Sequence, residues 1–165
     1  MSVIMGSKYK IRDLDGLYFI TSTVVNWADV FIRKVYRDCL LDAFRYCMKH
    51  KGLNLHAYVI MSSHFHAIVS AEKGCVLPAI IRDMKRHTST TLIRLIKAEP
   101  ESRREWLLSM FHNEAQRVKR GKDYILWKEG YHAKQLITNH FIDQKLDYIH
   151  QNPVVAGWVS EPAHY

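Results

Sequence analysis

The sequence predicts an α+β fold, a ferredoxin-like sandwich in which two helices cover one face of an antiparallel sheet and an additional helix follows near the C-terminus. Two observations support this class. Strand-like and helix-like segments follow one another in the order β-α-β-β-α, an extra helix, β-strands and α. The second and third strand-like segments are separated only by Ser62-Ser63, which indicates a central hairpin. Because no repeat or linker interrupts the 165 residues, we expect one domain over residues 1–165.

The first half of the chain provides the hairpin and its first covering helix. Residues 17–25 are rich in β-branched and aromatic side chains, which predicts a strand. From Val30, apolar residues recur every three to four positions until Gly52, which predicts a long amphipathic helix. Residues 53–61 alternate in character as a second strand does, and residues 64–70 form the third.

The second half of the chain is mainly helical. Residues 78–96 keep helical spacing, residues 99–101 break it, and a further helix is predicted over residues 102–118. Residues 124–127 and 131–137 are strand-like. Thr138-Asn139 can cap a last helix from His140 to about Gln151, which Asn152-Pro153 should end because a residue before proline disfavours helix.

Composition limits the class of protein and its partners. Lys and Arg number 24 against 16 Asp and Glu, a net charge of +8, which fits an acidic polymer or surface and equally a soluble protein that is merely basic. The three cysteines form no Cys-x-x-Cys pair, so we expect reduced core residues. No leader precedes an apolar run, and no run is long enough to span a bilayer, so we expect a cytoplasmic protein without a membrane partner.

The stretch His64-Phe65-His66 is the first candidate for chemistry. Residues i and i+2 of a strand share a face, so the two imidazoles should stand together while Phe65 points into the core. Such a pair fits a metal site as well as ordinary surface or core histidines. Tyr148 and Asn152 share a helix face at i and i+4, yet from these residues alone a packing tyrosine and a helix-end asparagine are the favoured explanations.

Taken together, His64-Phe65-His66 and the segment Asp147-Tyr148-Ile149-His150-Gln151-Asn152-Pro153 resemble the single-tyrosine transposases of the HUH endonuclease superfamily, and among them the REP-associated tyrosine transposases. The likeness extends to residues 18–21, 83–89 and 127–132, and so to most of the chain. Ser63 stands where relatives commonly have asparagine, residues 99–122 look like an insertion without an assigned task, and relatives often continue past the position of Tyr165.

The resemblance implies a site and a reaction. His64 and His66 would bind a divalent metal, Mg²⁺ or Mn²⁺, Asn152 would complete the metal site, and Tyr148 would attack DNA. Imidazole ligands alone would equally suit Zn²⁺. The implied activity is cleavage and rejoining of single-stranded DNA near hairpins through a 5′-phosphotyrosine. Single-stranded or hairpin DNA is then the partner, and since relatives include monomers and dimers, a homodimer and a monomer both remain open.

Two alternatives remain beside this interpretation. A non-catalytic nucleic-acid-binding protein, such as a domesticated transposase, would use an open sheet and basic helices without any chemistry. A zinc hydrolase would use the two histidines, although no carboxylate ligand is evident nearby.

Other polar and aromatic residues are assigned by context. We place His150 outside the metal site because it lies about 200° around the helix from Tyr148, and we favour a surface role for His132. Three tryptophans could stack on bases, but core packing is the favoured role for Trp27, Trp127 and Trp158. With nucleic acid as the implied partner, phosphate contacts are expected from seven cations, namely Arg82, Lys85, Arg86, Arg117, Lys119, Arg120 and Lys122.

Overall fold

The computed structural model describes residues 11–119 and 121–165. In chain order the elements are β1 (Tyr18–Thr23), α1 (Lys34–His50), β2 (Leu53–Ile60), β3 (His64–Ala71), α2 (Leu77–Ala98), α3 (Arg104–Val118), β4 (His132–Gln135) and α4 (Asn139–Val155). None of the helices in these residues combines the length and apolar character that crossing a membrane requires.

The four strands form one antiparallel sheet in the order β2-β3-β1-β4. Strand β3 lies between β1 and β2, which are joined through α1, so the first β-α-β unit is split by the hairpin strand, as in ferredoxin-like folds. In the register, Thr21 of β1 lies opposite His66 of β3 and His132 of β4. The predicted fold class is confirmed.

Alternate residues of the central strands pack on the two faces of the sheet. On one face Ile20, Phe65 and Ala67 join a core with buried residues of α1, α2 and α3. Phe65 meets Phe44 of α1 edge to face, with 5.3 Å between ring centroids. Helix α3 lies within residues 99–122, the segment to which the sequence assigned no task. It packs Leu107 and Phe111 into this core, so the segment is at least partly structural.

The opposite sheet face carries a second, smaller apolar cluster. Phe19, Val59 and Ile68 of the sheet form one cluster with Leu136 and Ile149, and more apolar residues of α4 pack around it. Helix α4 therefore lies across this face, which gives three layers. The histidines of β3 lie in the layer between the sheet and α4.

Three predicted boundaries are wrong for identifiable reasons. Residues 30–32 form a 3₁₀ turn, and α1 begins at Lys34 because Arg33 is extended. Residues 124–127 make only a single bridge, from Val24 to Trp127, since the Trp127 ring turns into the core and its Nε1–H donates to Thr88 Oγ1 at 3.0 Å. Helix α4 continues through Pro153 to Val155.

Helix α4 continues through Pro153 because burial of the proline ring offsets the loss of one helical hydrogen bond. Proline lacks an N–H, so the carbonyl of Ile149 loses its helical donor. The Pro153 ring is buried, and the next turn is closed by a 3.0 Å bond from the Ala156 N–H to the Asn152 carbonyl. Asn152 therefore lies inside the helix rather than in a turn after it.

Candidate metal and nucleophile site

Backbone hydrogen bonds fix the point at which β3 begins. The carbonyl of Ser63 accepts from the Val24 N–H and the carbonyl of Ser62 accepts from the Phe31 N–H, both at 2.8 Å. The Met61 N–H donates to the His64 carbonyl at 2.8 Å and closes the hairpin. This anchored turn fixes the register, and so places both histidines on the α4 face of the sheet.

The two imidazoles lie side by side, with 4.8 Å between ring centroids. Thr21 Oγ1 lies 2.7 Å from His66 Nδ1, and Ser63 Oγ makes a longer contact of 3.3 Å with His64 Nδ1. A hydroxyl therefore occupies the Nδ1 side of each ring. Metal-binding histidines are commonly oriented by such a partner on the second nitrogen, which leaves Nε2 for the ion.

Burial favours the neutral form of both histidines. It lowers the pKa of His64, and it lowers the pKa of His66 to about 3, where the neighbouring His64 and Lys145 add to the effect. His66 is only 6% exposed, and its Nε2 is buried without a hydrogen-bond partner among the described residues. Leaving such an atom unpaired costs about 1–3 kcal/mol, and a ligand at Nε2 would remove that cost.

Tyr148 lies against one of these histidines, His66, from α4. The helix is capped by Thr138, whose Oγ1 accepts from the Phe141 N–H at 3.2 Å. The Tyr148 ring is 5.2 Å from that of His66 and 5.8 Å from that of Phe19, edge to face in both cases. Its side chain is 46% exposed, so a substrate can reach it.

Lys145 lies one turn before Tyr148 and places its charge among the same rings. Its Nζ is 4.9 Å from the centroid of Phe19 and 5.1 Å from that of Tyr148. Burial lowers the pKa of this ammonium group. Sequence reasoning missed this residue, although its position three residues before Tyr148 indicates a shared helix face.

The structure limits which side chains can complete a metal site. Within residues 11–119 and 121–165, no three His, Cys, Asp or Glu side chains cluster as a metal site requires. From the described residues, a third protein ligand beside the two histidines would therefore be of another donor type, such as a neutral oxygen. Asn152 is half-buried on the last turns of α4, one turn after Tyr148, and its amide oxygen is of the right type. By donor type alone, two neutral histidines and this amide suit a divalent cation that keeps open coordination positions.

The predicted phosphate-binding cations mostly line one groove, of about 1130 Å³, between α2, α3 and residues 121–131. Arg86 and Lys122 line it, and so does Lys128. Arg82 lines it while paired with Asp83 at 3.0 Å. Arg117 binds both carboxylate oxygens of Glu114 at 2.8 and 2.6 Å, again within the groove. The groove therefore has an excess of positive charge, part of it already paired.

Of the three other predicted cations, Lys85 also lines the groove. Lys85 donates from Nζ to the carbonyls of Lys128 and Gly130, and burial lowers its pKa to about 8. Lys119 is the left-handed C-cap of α3 and does not line the groove. Arg120 lies outside the described residues. The two remaining candidate histidines, His132 and His150, are both exposed.

Core packing is confirmed for Trp127, which is 6% exposed, and is wrong for Trp27 and Trp158. Trp27 is 58% exposed, and its ring meets that of His64 edge to face at 5.6 Å between centroids. On another side the Nζ of Lys128 lies 4.5 Å from the Trp27 ring centroid. The sequence did hold a signal for this exposure, because Asn26, the residue before Trp27, is typical of a turn in which the chain leaves the sheet.

Comparison with solved structures identifies the fold. A REP-associated tyrosine transposase bound to a REP hairpin superposes with a TM-score of 0.68 and 16% sequence identity, over 98% of this chain and 80% of the other. A protein from Deinococcus radiodurans R1 named as a transposase aligns with a TM-score of 0.48 and 19% identity, over 87% of this chain and 93% of the other. No protein-family model and no curated protein matches the chain. The chain shares the fold of the REP-associated tyrosine transposase, and the fold that the resemblance implied is confirmed.

Proposed function

We propose that the protein is a DNA strand transferase that cleaves and rejoins single-stranded DNA beside hairpins, with Tyr148 as nucleophile and a divalent metal held by His64, His66 and Asn152. The observation that carries the proposal is the edge-to-face contact of Tyr148 with His66, a neutral imidazole whose Nε2 is buried and unpartnered among the described residues. The fold neighbour bound to a REP hairpin supports hairpin DNA as the substrate class.

The proposed chemistry exchanges one phosphodiester bond for another. The Tyr148 oxygen attacks the phosphorus, the bond to the 3′ oxygen breaks, the phenol proton passes to solvent and the leaving oxygen takes up a proton. The products are a 5′-phosphotyrosine and a free 3′-hydroxyl. Because no bond is lost to water, a second 3′-hydroxyl can reverse the step and join strands without ATP.

The metal and the protein have separate tasks in this reaction. A phenol with a pKa near 10 is mostly protonated at pH 7. A bound Mg²⁺ or Mn²⁺ would polarise the scissile phosphate and stabilise the charge that develops on its oxygens. Phe19 and His66 orient the tyrosine ring, and Lys145 adds positive charge beside it.

The non-catalytic alternative has its own support in the basic groove, because binding DNA phosphates needs only cations. It gives no role, however, to a pair of neutral histidines, one buried and one half-buried, beside an accessible tyrosine. An adduct assay separates the two proposals, because only the strand transferase links itself covalently to DNA.

The test is incubation of the protein and Mn²⁺ with labelled single-stranded hairpin DNAs that differ in their flanking sequences. We expect a denaturation-resistant adduct that disappears in Tyr148→Phe and on chelation of the metal. Tyr46→Phe is the matched control, because Tyr46 is an exposed tyrosine of α1. If the hairpins bind without forming any adduct, the non-catalytic alternative replaces the proposal.

A further inference from the structure

Trp27 is held in a backbone conformation that tryptophan rarely adopts. Asn26 and Trp27 are left-handed, with φ of 53° and 55°. Asparagine tolerates this region, whereas a bulky residue pays about 1–2 kcal/mol for it. The Trp27 side chain is 58% exposed, so burial of the ring does little to offset that cost. Such strain at an exposed aromatic residue indicates a function rather than packing.

The surrounding backbone fixes this conformation from both sides. The Val25 N–H donates to the Leu126 carbonyl at 2.9 Å, and the Trp27 N–H donates to the Val24 carbonyl at 3.1 Å. The Ala28 N–H donates to the Val25 carbonyl at 3.2 Å. Val25 and Ala28 are themselves buried, so the turn presents the Trp27 ring on a rigid support.

The ring lies between the histidine pair and the basic groove. On one side it contacts His64, and on the other it lies under the ammonium group of Lys128. Lys128 lines the groove together with Val25 and Asn26, the residues that lead into Trp27. A strand that ran from the histidines to the groove would therefore meet an exposed indole before it reached the cations.

We propose that Trp27 is a base-stacking residue for single-stranded DNA, and that the strand continues from its ring into the groove, where Arg86, Lys122 and Lys128 contact phosphates. Every base presents a π-face, so stacking holds a strand without reading its sequence. The position of the stacked base, next to the scissile phosphate, rests on the proposed function. Stacking itself requires no reaction.

The test measures binding of two probes in EDTA, the single strand dT20 and a 20-nucleotide strand of abasic sites. Trp27→Asn removes the ring and keeps a residue that tolerates the left-handed backbone. We expect it to weaken dT20 binding about 10-fold, to leave binding of the abasic strand unchanged, and to match the wild type in stability or exceed it. Trp27→Phe keeps a ring and should stay within about threefold of the wild type.

Trp106→Asn is the matched control, because Trp106 is 55% exposed on α3 and does not line the groove. Unchanged dT20 binding in Trp27→Asn, an equal loss for both probes, or a loss of stability would each overturn the inference. The adduct assay with Tyr148→Phe is independent of this result. A strand that stacks on Trp27 but forms no adduct would refute the proposed chemistry alone.

Discussion

The ring of Tyr148 meets the ring of His66 at 5.2 Å between centroids and an interplanar angle of 71°, and both residues belong to the same chain. Phe19 contacts both, stacked on His66 at 5.2 Å and edge to face with Tyr148 at 5.8 Å. Helix α4 therefore brings its tyrosine against His66 of the sheet. Since packing already orients these rings, a metal or substrate would meet a prearranged site.

We predict that Thr21→Val weakens metal binding without unfolding the protein. The substitution keeps the shape of the side chain and removes the hydroxyl that lies 2.7 Å from His66 Nδ1. Losing such a partner typically costs 10–100-fold in metal affinity, so we expect about a 10-fold rise in the Kd for Mn²⁺ by calorimetric titration. Thr90→Val is the control, because Thr90 is an exposed threonine of α2. Equal effects of the two variants would contradict an orienting role for Thr21.

We predict that Asn152→Ala reduces Mn²⁺ affinity and adduct formation about 10-fold or more, because it removes the proposed oxygen ligand. Binding of hairpin DNA in EDTA should remain close to that of the wild type, since backbone contacts dominate affinity. Gln151→Ala is the control, as its exposed side chain lies about 100° around the helix from that of Asn152. Unchanged Mn²⁺ affinity in Asn152→Ala would remove this residue from the metal site.

Local sequence pattern predicts the strands and the shared face of His64 and His66, because alternation in a strand is a local property. It does not place α4 over that face. That position depends on contacts between residues far apart in sequence, such as Phe19 with Tyr148. Predictions from the local sequence pattern are also wrong where tertiary packing overrides a local rule. The buried Pro153 inside α4 and the left-handed Trp27 are two such positions.

We predict that the metal-free protein loses stability as the pH falls below 6.5, and that His66 causes part of the loss. The folded pKa of His66 is about 3, against 6.5 for a free histidine. Between these values the unfolded state binds a proton that the folded state excludes, so the free energy of unfolding falls with falling pH. Chemical denaturation in EDTA from pH 7.5 to 4.5 should show a slope shallower by about 1 kcal/mol per pH unit in His66→Gln. Parallel curves for the two proteins would show that His66 titrates normally.

We predict that Lys85 and Arg86, neighbours on α2, serve different purposes. Lys85→Met removes the donor to the carbonyls of Lys128 and Gly130. It should therefore destabilise the protein by about 1–2 kcal/mol and speed hydrogen exchange in residues 125–131. Arg86→Met changes an exposed side chain that lines the groove. It should leave stability unchanged, weaken dT20 binding and reduce the salt dependence of that binding by about one phosphate contact. The reverse pattern would show that Lys85 binds DNA and Arg86 supports the fold.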